Sequence, residues 1–140
     1  MNFSSHSVVE AFIAAINRRD PAGLSALMSE DHTFVDARGT TTTGRDDMLA
    51  CWKEFFRMFP DYKIQIEKLL ADNRVVAIFG SSSGTYNGKR GMVAENMIAM
   101  PAAWKARVEN GKIKLWQVYA DWSAGCKTIE EDKRAERMSA

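Results

Sequence analysis

The hydrophobic pattern of this chain changes period once, between Phe59 and Tyr62, and that change limits the folds open to it. Before it, apolar residues recur every three or four positions, as a helix requires; after it they alternate, as a strand requires. Val8, Val9, Phe12, Ile13 and Ile16 form one helical stripe, with Ser4 or Ser5 available as N-cap and an end expected near Arg18 or Arg19. Asp20-Pro21 supplies a second cap followed by proline at the first helical position, and Leu24, Leu27 and Met28 give a short second helix. Thr33-Phe34-Val35-Asp36 is β-prone and gives way to a turn at Arg38-Gly39-Thr40, so Asp36 belongs at a strand end. Thr43-Gly44-Arg45-Asp46 has the pattern of a capping box, and Met48, Leu49, Trp52, Phe55, Phe56 and Phe59 follow as a third helix until Pro60.

Beyond Pro60, Tyr62, Ile64 and Ile66 alternate with Lys63, Gln65 and Glu67, which predicts a strand with one wet face. Asp72-Asn73 reads as a turn into Val75–Phe79, a strand continuing through Ser81 to Tyr86, and Asn87-Gly88 is a further turn signal. Two long strands, Met97–Val108 and Ile113–Asp121, flank a tight Glu109-Asn110-Gly111-Lys112 hairpin. Pro101 has no amide hydrogen to give a ladder, so it should mark a bulge or an unpaired position. Lys89 to Asn96 follows no period. Thr128 to Met138 alternates acids and bases and reads as a solvated helix or disordered chain without a function. Helices first and hairpin-linked strands afterwards predict an α+β domain, with three helices from the N-terminal half on one face of an antiparallel sheet. At 140 residues the chain holds one core, expected as a single domain over residues 1–127 with a charged tail over 128–140.

Charge and cysteine content narrow the function. The 19 basic and 18 acidic residues are dispersed and leave a net charge of +1, which argues against a nucleic-acid partner. Cys51 and Cys126 match no metal-ligand spacing and read as free thiols of a reducing compartment. No apolar run approaches the roughly 18 residues of a membrane helix. Met1-Asn2-Phe3-Ser4-Ser5-His6 lacks a signal-peptide pattern, so no membrane partner and a cytoplasmic location are expected. With only two histidines, a histidine-rich metal site is excluded and His32 reads as a turn residue; no metal and no cofactor are expected.

The element order, with Val9 to Asp20 leading to Leu24-Ser25-Ala26-Leu27-Met28 and Asp31-His32-Thr33-Phe34-Val35-Asp36, resembles the ketosteroid isomerase and SnoaL-like families of the nuclear transport factor two-like group. Gly44-Arg45-Asp46, and Glu109-Asn110-Gly111-Lys112-Ile113 with Trp116, add to the likeness, which covers almost the whole chain and specifies no reaction. It implies a cone-shaped domain whose helices close over the concave face of a curved sheet. It also implies a deep apolar pocket and a homodimer through the convex face, on a scaffold hosting isomerases, cyclases, dehydratases, hydrolases and binders.

Asp36 falls on the position of the isomerases' general base, where burial would favour the neutral acid and raise basicity; the alternative is a cap of its own turn or a pair with Arg38 or Arg45. The donors that hold the substrate oxygen in that family do not carry over. Its tyrosine corresponds to Phe12 and its protonated aspartate to Ala103 or Trp104. Losing one such donor costs a factor of about a hundred to a thousand in rate, so Asn96, Tyr86 or Tyr119 would have to substitute. The final-strand acid of epoxide hydrolases of this fold falls on Val118, which leaves that set incomplete. In a SnoaL-like cyclase reading either Asp36 or Asp121 could take the proton, although alternation places Asp121 opposite to Trp116 and favours a surface cap. Trp52, Phe55, Phe56, Trp104 and Trp116 are core by spacing, and so many wide rings leave room for a flat, apolar, cyclic ligand beside Phe12, Tyr86, Asn96 and Val118. The alternatives are a binder without turnover and a dimerisation or scaffold module whose cavity its own rings fill.

Overall fold

A computed structural model describes residues 4–139, with side chains described as far as residue 135. Residues 1–3 and 140, which the expected domain and tail bounds and the leader reading include, lie outside the described residues. Helix α1 (Ser5–Asn17) starts where the Ser4 hydroxyl accepts the Ser7 N–H, and its whole predicted stripe is buried. Helix α2 (Pro21–Leu27) is capped by the Asp20 carboxylate, which accepts the Gly23 N–H at 3.0 Å, with Pro21 in the first turn. Helix α3 (Arg45–Met58) begins differently from its sequence pattern. The capping box of Thr43 and Asp46 does not form, because Thr43 belongs to a short strand and Gly44, at φ 105°, is the N-cap. Only glycine takes that backbone conformation without strain.

The strands are β1 (Met28–Val35), β2 (Thr41–Thr43), β3 (Lys63–Asp72), β4 (Val75–Thr85), β5 (Met97–Glu109) and β6 (Lys112–Ala120). They form one curved, unclosed sheet in the order β2-β1-β6-β5-β4-β3, antiparallel except where β1 runs parallel to β6. Helices α1 to α3 lie against its inner face. Asn17, at the end of α1, fixes that packing: its amide donates to the Ile64 carbonyl at 3.0 Å and accepts the Ile64 N–H at 2.8 Å.

Four sequence expectations are corrected. β1 starts at Met28 and takes His32 into the sheet, fully buried, rather than leaving it in a turn. The polar run after Gly39 returns as β2 instead of ending in a turn. β3 bulges between Ile66 and Lys68, and Ile66, the last residue before the bulge, is 41% exposed although it keeps the parity of buried Ile64. The C-terminal segment is a fourth helix, α4 (Ser123–Ser139), that is docked rather than free, since Asp132 on it is fully buried. Pro101 meets its expectation without a bulge: pairing with β6 stops at Ala102, so residue 101 has only β4 as a neighbour. Among the described residues, no helix is long and apolar enough to cross a membrane.

Candidate functional site

Strand parity decides what lines the interior. In β4 the buried positions are Val76, Ile78, Gly80, Ser82 and Gly84; in β5 they are the even residues from Ile98 to Val108. Toward the Gly84 end those of β4 are small, and a Cβ on Gly84 would lie 3.3 Å from the Phe59 ring, so glycine lets the end of α3 close onto the sheet. Further in, the wide rings pair with one another. Trp104 and Trp116 stack at 6.4 Å, and Trp52 stacks on Phe56 at 5.3 Å. The space between α3 and the sheet is therefore unfilled, a hollow of about 500 Å³. Trp52, Phe55 and Phe59 form its helical wall, Trp104, Trp116, Val118 and Ala120 its floor, Asp36 and Arg38 one rim, and Trp122 with Cys126 and Ile129 of the C-terminal helix α4 one end.

Of the residues singled out in the sequence, Asp36, Trp52, Phe55, Trp104, Trp116 and Val118 meet around this hollow. The others are placed elsewhere. Phe12 is fully buried behind Trp116, at 4.9 Å between rings, and Phe56 lies behind Trp52. Tyr86 packs on Phe59 at 5.8 Å, and Tyr119 is 48% exposed on the outer face. Asn96 is buried in a separate polar cluster, where its amide donates to the Tyr86 and Gly91 carbonyls and to Asp132. Asp121 points outward, because Trp116, Val118 and Ala120 occupy the inward parity, and it accepts the Ser123 hydroxyl at 2.6 Å and the Ser123 N–H at 3.0 Å. Those bonds hold its carboxyl below the usual range. None of the three substitute donors reaches the hollow.

Asp36 caps its own turn with one carboxylate oxygen and leaves the other unengaged. Its Oδ1 accepts the backbone N–H of Arg38 and of Thr40, each at 2.9 Å, which closes the turn after β1. Its Oδ2 accepts no hydrogen bond, and neither Arg38 nor Arg45 forms an ion pair with it among the described residues. The Arg38 guanidinium turns to the Cys126 sulfur instead, at 2.6 Å. Cys51 and Cys126, remote in sequence, both line the hollow as free thiols.

Two polar residues of the hollow escaped the sequence reading, Tyr62 and Ser82. Burial pushes the Tyr62 phenol up to about 12, opposed by the Ser82 hydroxyl, so at neutral pH it is a proton-bearing donor. The signal was present: Tyr62 shares parity with Ile64, and Ser82 with Val76 and Ile78. The indole N–H groups of Trp52 and Trp104 are also buried, without a partner among the described residues. An indole N–H only donates, and a buried donor left unpaired costs about 1–3 kcal/mol, so these two rings carry a polar cost inside the packing that no partner among the described residues offsets.

His32 Nδ1 lies 2.8 Å from the Ile113 carbonyl, which only accepts, so the proton of the neutral ring sits on Nδ1. Burial pushes its pKa down, against smaller opposing effects of the Ile113 carbonyl and Asp31. The unfolded chain therefore takes up this proton at a higher pH than the folded one, and stability falls as pH drops below the ordinary histidine value of 6.5. Denaturant unfolding between pH 7.5 and 5.5 is expected to show that decline, and His32→Asn, which keeps a donor for Ile113, to reduce it. An identical pH dependence in the variant would show that His32 is not its source.

The comparisons agree with this architecture. Residues 9–116 match the sequence profile of the SnoaL-like domain, and the chain belongs to that family. It is similar to a protein of ketosteroid isomerase-like fold from Catenulispora acidiphila, solved in complex with trimethylamine, at 27% identity over 86% of this chain and 90% of that one, with a TM-score of 0.75. Its fold is also that of a candidate SnoaL-like polyketide cyclase from Shewanella denitrificans (15% identity, 94% and 97% covered, TM-score 0.76). An epoxide hydrolase of the LEH-like type from M. tuberculosis shares it as well (16%, 97% and 96%, TM-score 0.74). A search of curated proteins finds no match.

Proposed function

We propose that the hollow takes a flat, apolar, cyclic small molecule with a carbonyl or similar acceptor, and that Asp36 acts on it as a cofactor-independent general base. The reaction class is the proton transfer of an isomerase or cyclase. The observation that carries this reading is the free Oδ2 of Asp36 at the rim of an apolar hollow, unpaired with either nearby arginine. Removal of a proton beside a carbonyl moves charge onto its oxygen, which must then be held by donors. The Tyr62 phenol, which lines the hollow and keeps its proton, is the donor this chain offers in place of those at Phe12 and Ala103 or Trp104. A module filled by its own rings is the poorer reading, because the rings stack and leave space. The test uses acetonaphthone, a flat ketone with exchangeable methyl hydrogens, in deuterated buffer. Protein-dependent deuterium incorporation supports catalysis; binding without incorporation supports the non-catalytic reading.

We propose further that the chain forms a homodimer through the outer face of the sheet, in the cytoplasm, where two free thiols are at home. Phe79, Ala103 and Tyr119 lie in one cross-strand row on that face, with Phe79 46% and Tyr119 48% exposed. Light scattering should give twice the chain mass, and Tyr119→Lys should halve it. A monomer mass for the parent chain at all concentrations would refute the dimer.

A further inference from the structure

The family match ends at residue 116, yet one end of the hollow is built by residues beyond it. Trp122, just before α4, and Cys126 and Ile129 on it recur at helical spacing and turn one face of the helix onto the cavity. Asp132 stands at the next position of that stripe, where a carboxylate is costly to bury unless fully paired. It is fully paired. Its Oδ2 accepts the Lys89 N–H at 2.9 Å, and its Oδ1 accepts the Arg90 N–H at 3.0 Å, Arg90 Nε–H at 3.2 Å and the Asn96 amide at 3.0 Å. Arg90 in turn donates to the side-chain Oδ1 of Asn96 at 2.6 Å. The segment from Lys89 to Asn96, which has no hydrophobic period, is thereby explained as the socket for one side chain of α4. Two glycines permit the fit: a Cβ on Gly88 would collide with the Asp132 carboxylate and the Tyr86 ring, and one on Gly125 would stand 2.8 Å from the Trp122 indole. At its other end α4 reaches the loop of the candidate base, through Cys126 against Arg38.

We infer that α4 is the specificity-determining wall of the hollow, limiting the length of ligand admitted, and that Asp132 is the positioning residue that latches it in place. The limit on ligand length rests on the proposed ligand reading, whereas the latch does not. The latch is tested without a ligand, by the rates at which Cys126 and Cys51 react with N-ethylmaleimide, followed by mass spectrometry. Cys51 is exposed on α3 and serves as the internal reference, while Cys126, on α4 itself, is half-buried where that helix meets the hollow. In Asp132→Asn the Cys126 rate should rise about tenfold relative to Cys51, as expected when a locally docked segment opens. An unchanged ratio in a folded variant would overturn the latch. Should Asp132→Asn fail to fold, the milder Arg90→Gln is expected to raise the ratio in the same direction, and no rise there would overturn it equally. The wall is tested by Ile129→Phe, which should exclude acetonaphthone while still admitting the smaller acetophenone. Equal binding of both ketones by variant and parent would refute the wall; absence of binding by the parent would instead refute the ligand reading and leave the thiol result to decide the latch.

Discussion

Asp36→Asn is expected to lower protein-dependent proton exchange by a factor of about a hundred to ten thousand, the usual contribution of a positioned general base. Its effect on folding should stay within about 1 kcal/mol. The reasoning is geometric. An asparagine oxygen can accept the Arg38 and Thr40 N–H groups as Oδ1 does, so the turn after β1 survives, whereas the amide group placed at Oδ2 cannot take a proton. Asp36→Ala removes both functions and should also destabilise the turn. Exchange rates and denaturant midpoints on the two variants separate the roles. Retained exchange in Asp36→Asn would remove Asp36 from the chemistry, and a large loss of stability in it would make the residue structural.

Phe12→Ala should cost about 3–5 kcal/mol of stability, the range for deleting a buried aromatic side chain. Phe12 is fully buried where α1 meets the sheet, with Trp116 at 4.9 Å and Trp52 and His32 at 6.4 and 6.3 Å. It supports the floor of the hollow from behind. Truncation would leave a cavity against Trp116 and let that ring move, so ligand affinity should fall with stability. Thermal or denaturant unfolding measures the first effect. A loss below about 1 kcal/mol, which is typical of an unremarkable substitution, would contradict the packing.

The contrast between these two residues shows what the sequence could and could not reveal. Helical spacing identified Phe12 as inward-facing but could not say which inward residues touch open space, because that depends on how α1 and α3 share one sheet face. Alignment by resemblance placed Phe12 where a related enzyme keeps a tyrosine, and in this chain that position is occupied by core. Asp36 was legible because a β-prone stretch ended at it. Asn96 was chosen as a free polar group near the pocket, yet its partners, Arg90 and Asp132, come from a segment without periodicity and from a helix that composition alone marked as solvated. A buried carboxylate in a charged stretch looks like its neighbours until its socket is seen. Tyr62 and Ser82 were readable by parity, but the β3 bulge at Ile66–Lys68 shows how quickly that signal decays along a strand.

Asp132 and His32 also indicate how the protein should respond to acid. Burial pushes the Asp132 carboxyl upward, but the bonds from Asn96, Arg90 and Lys89 outweigh it and leave the group below its ordinary value of 3.8. Its stabilising contribution is present above that value and is lost as pH falls through the lowered folded value. The α4 latch should therefore outlast the His32 effect as pH falls.

Whether the hollow receives a ligand at all is measured most directly by equilibrium dialysis of acetonaphthone against the parent chain and Val118→Phe, whose added ring would occupy the floor beside Trp104. Saturable binding of one molecule per chain by the parent, lost in the folded variant, is the predicted result. Equal uptake by both, or none by either, would contradict it.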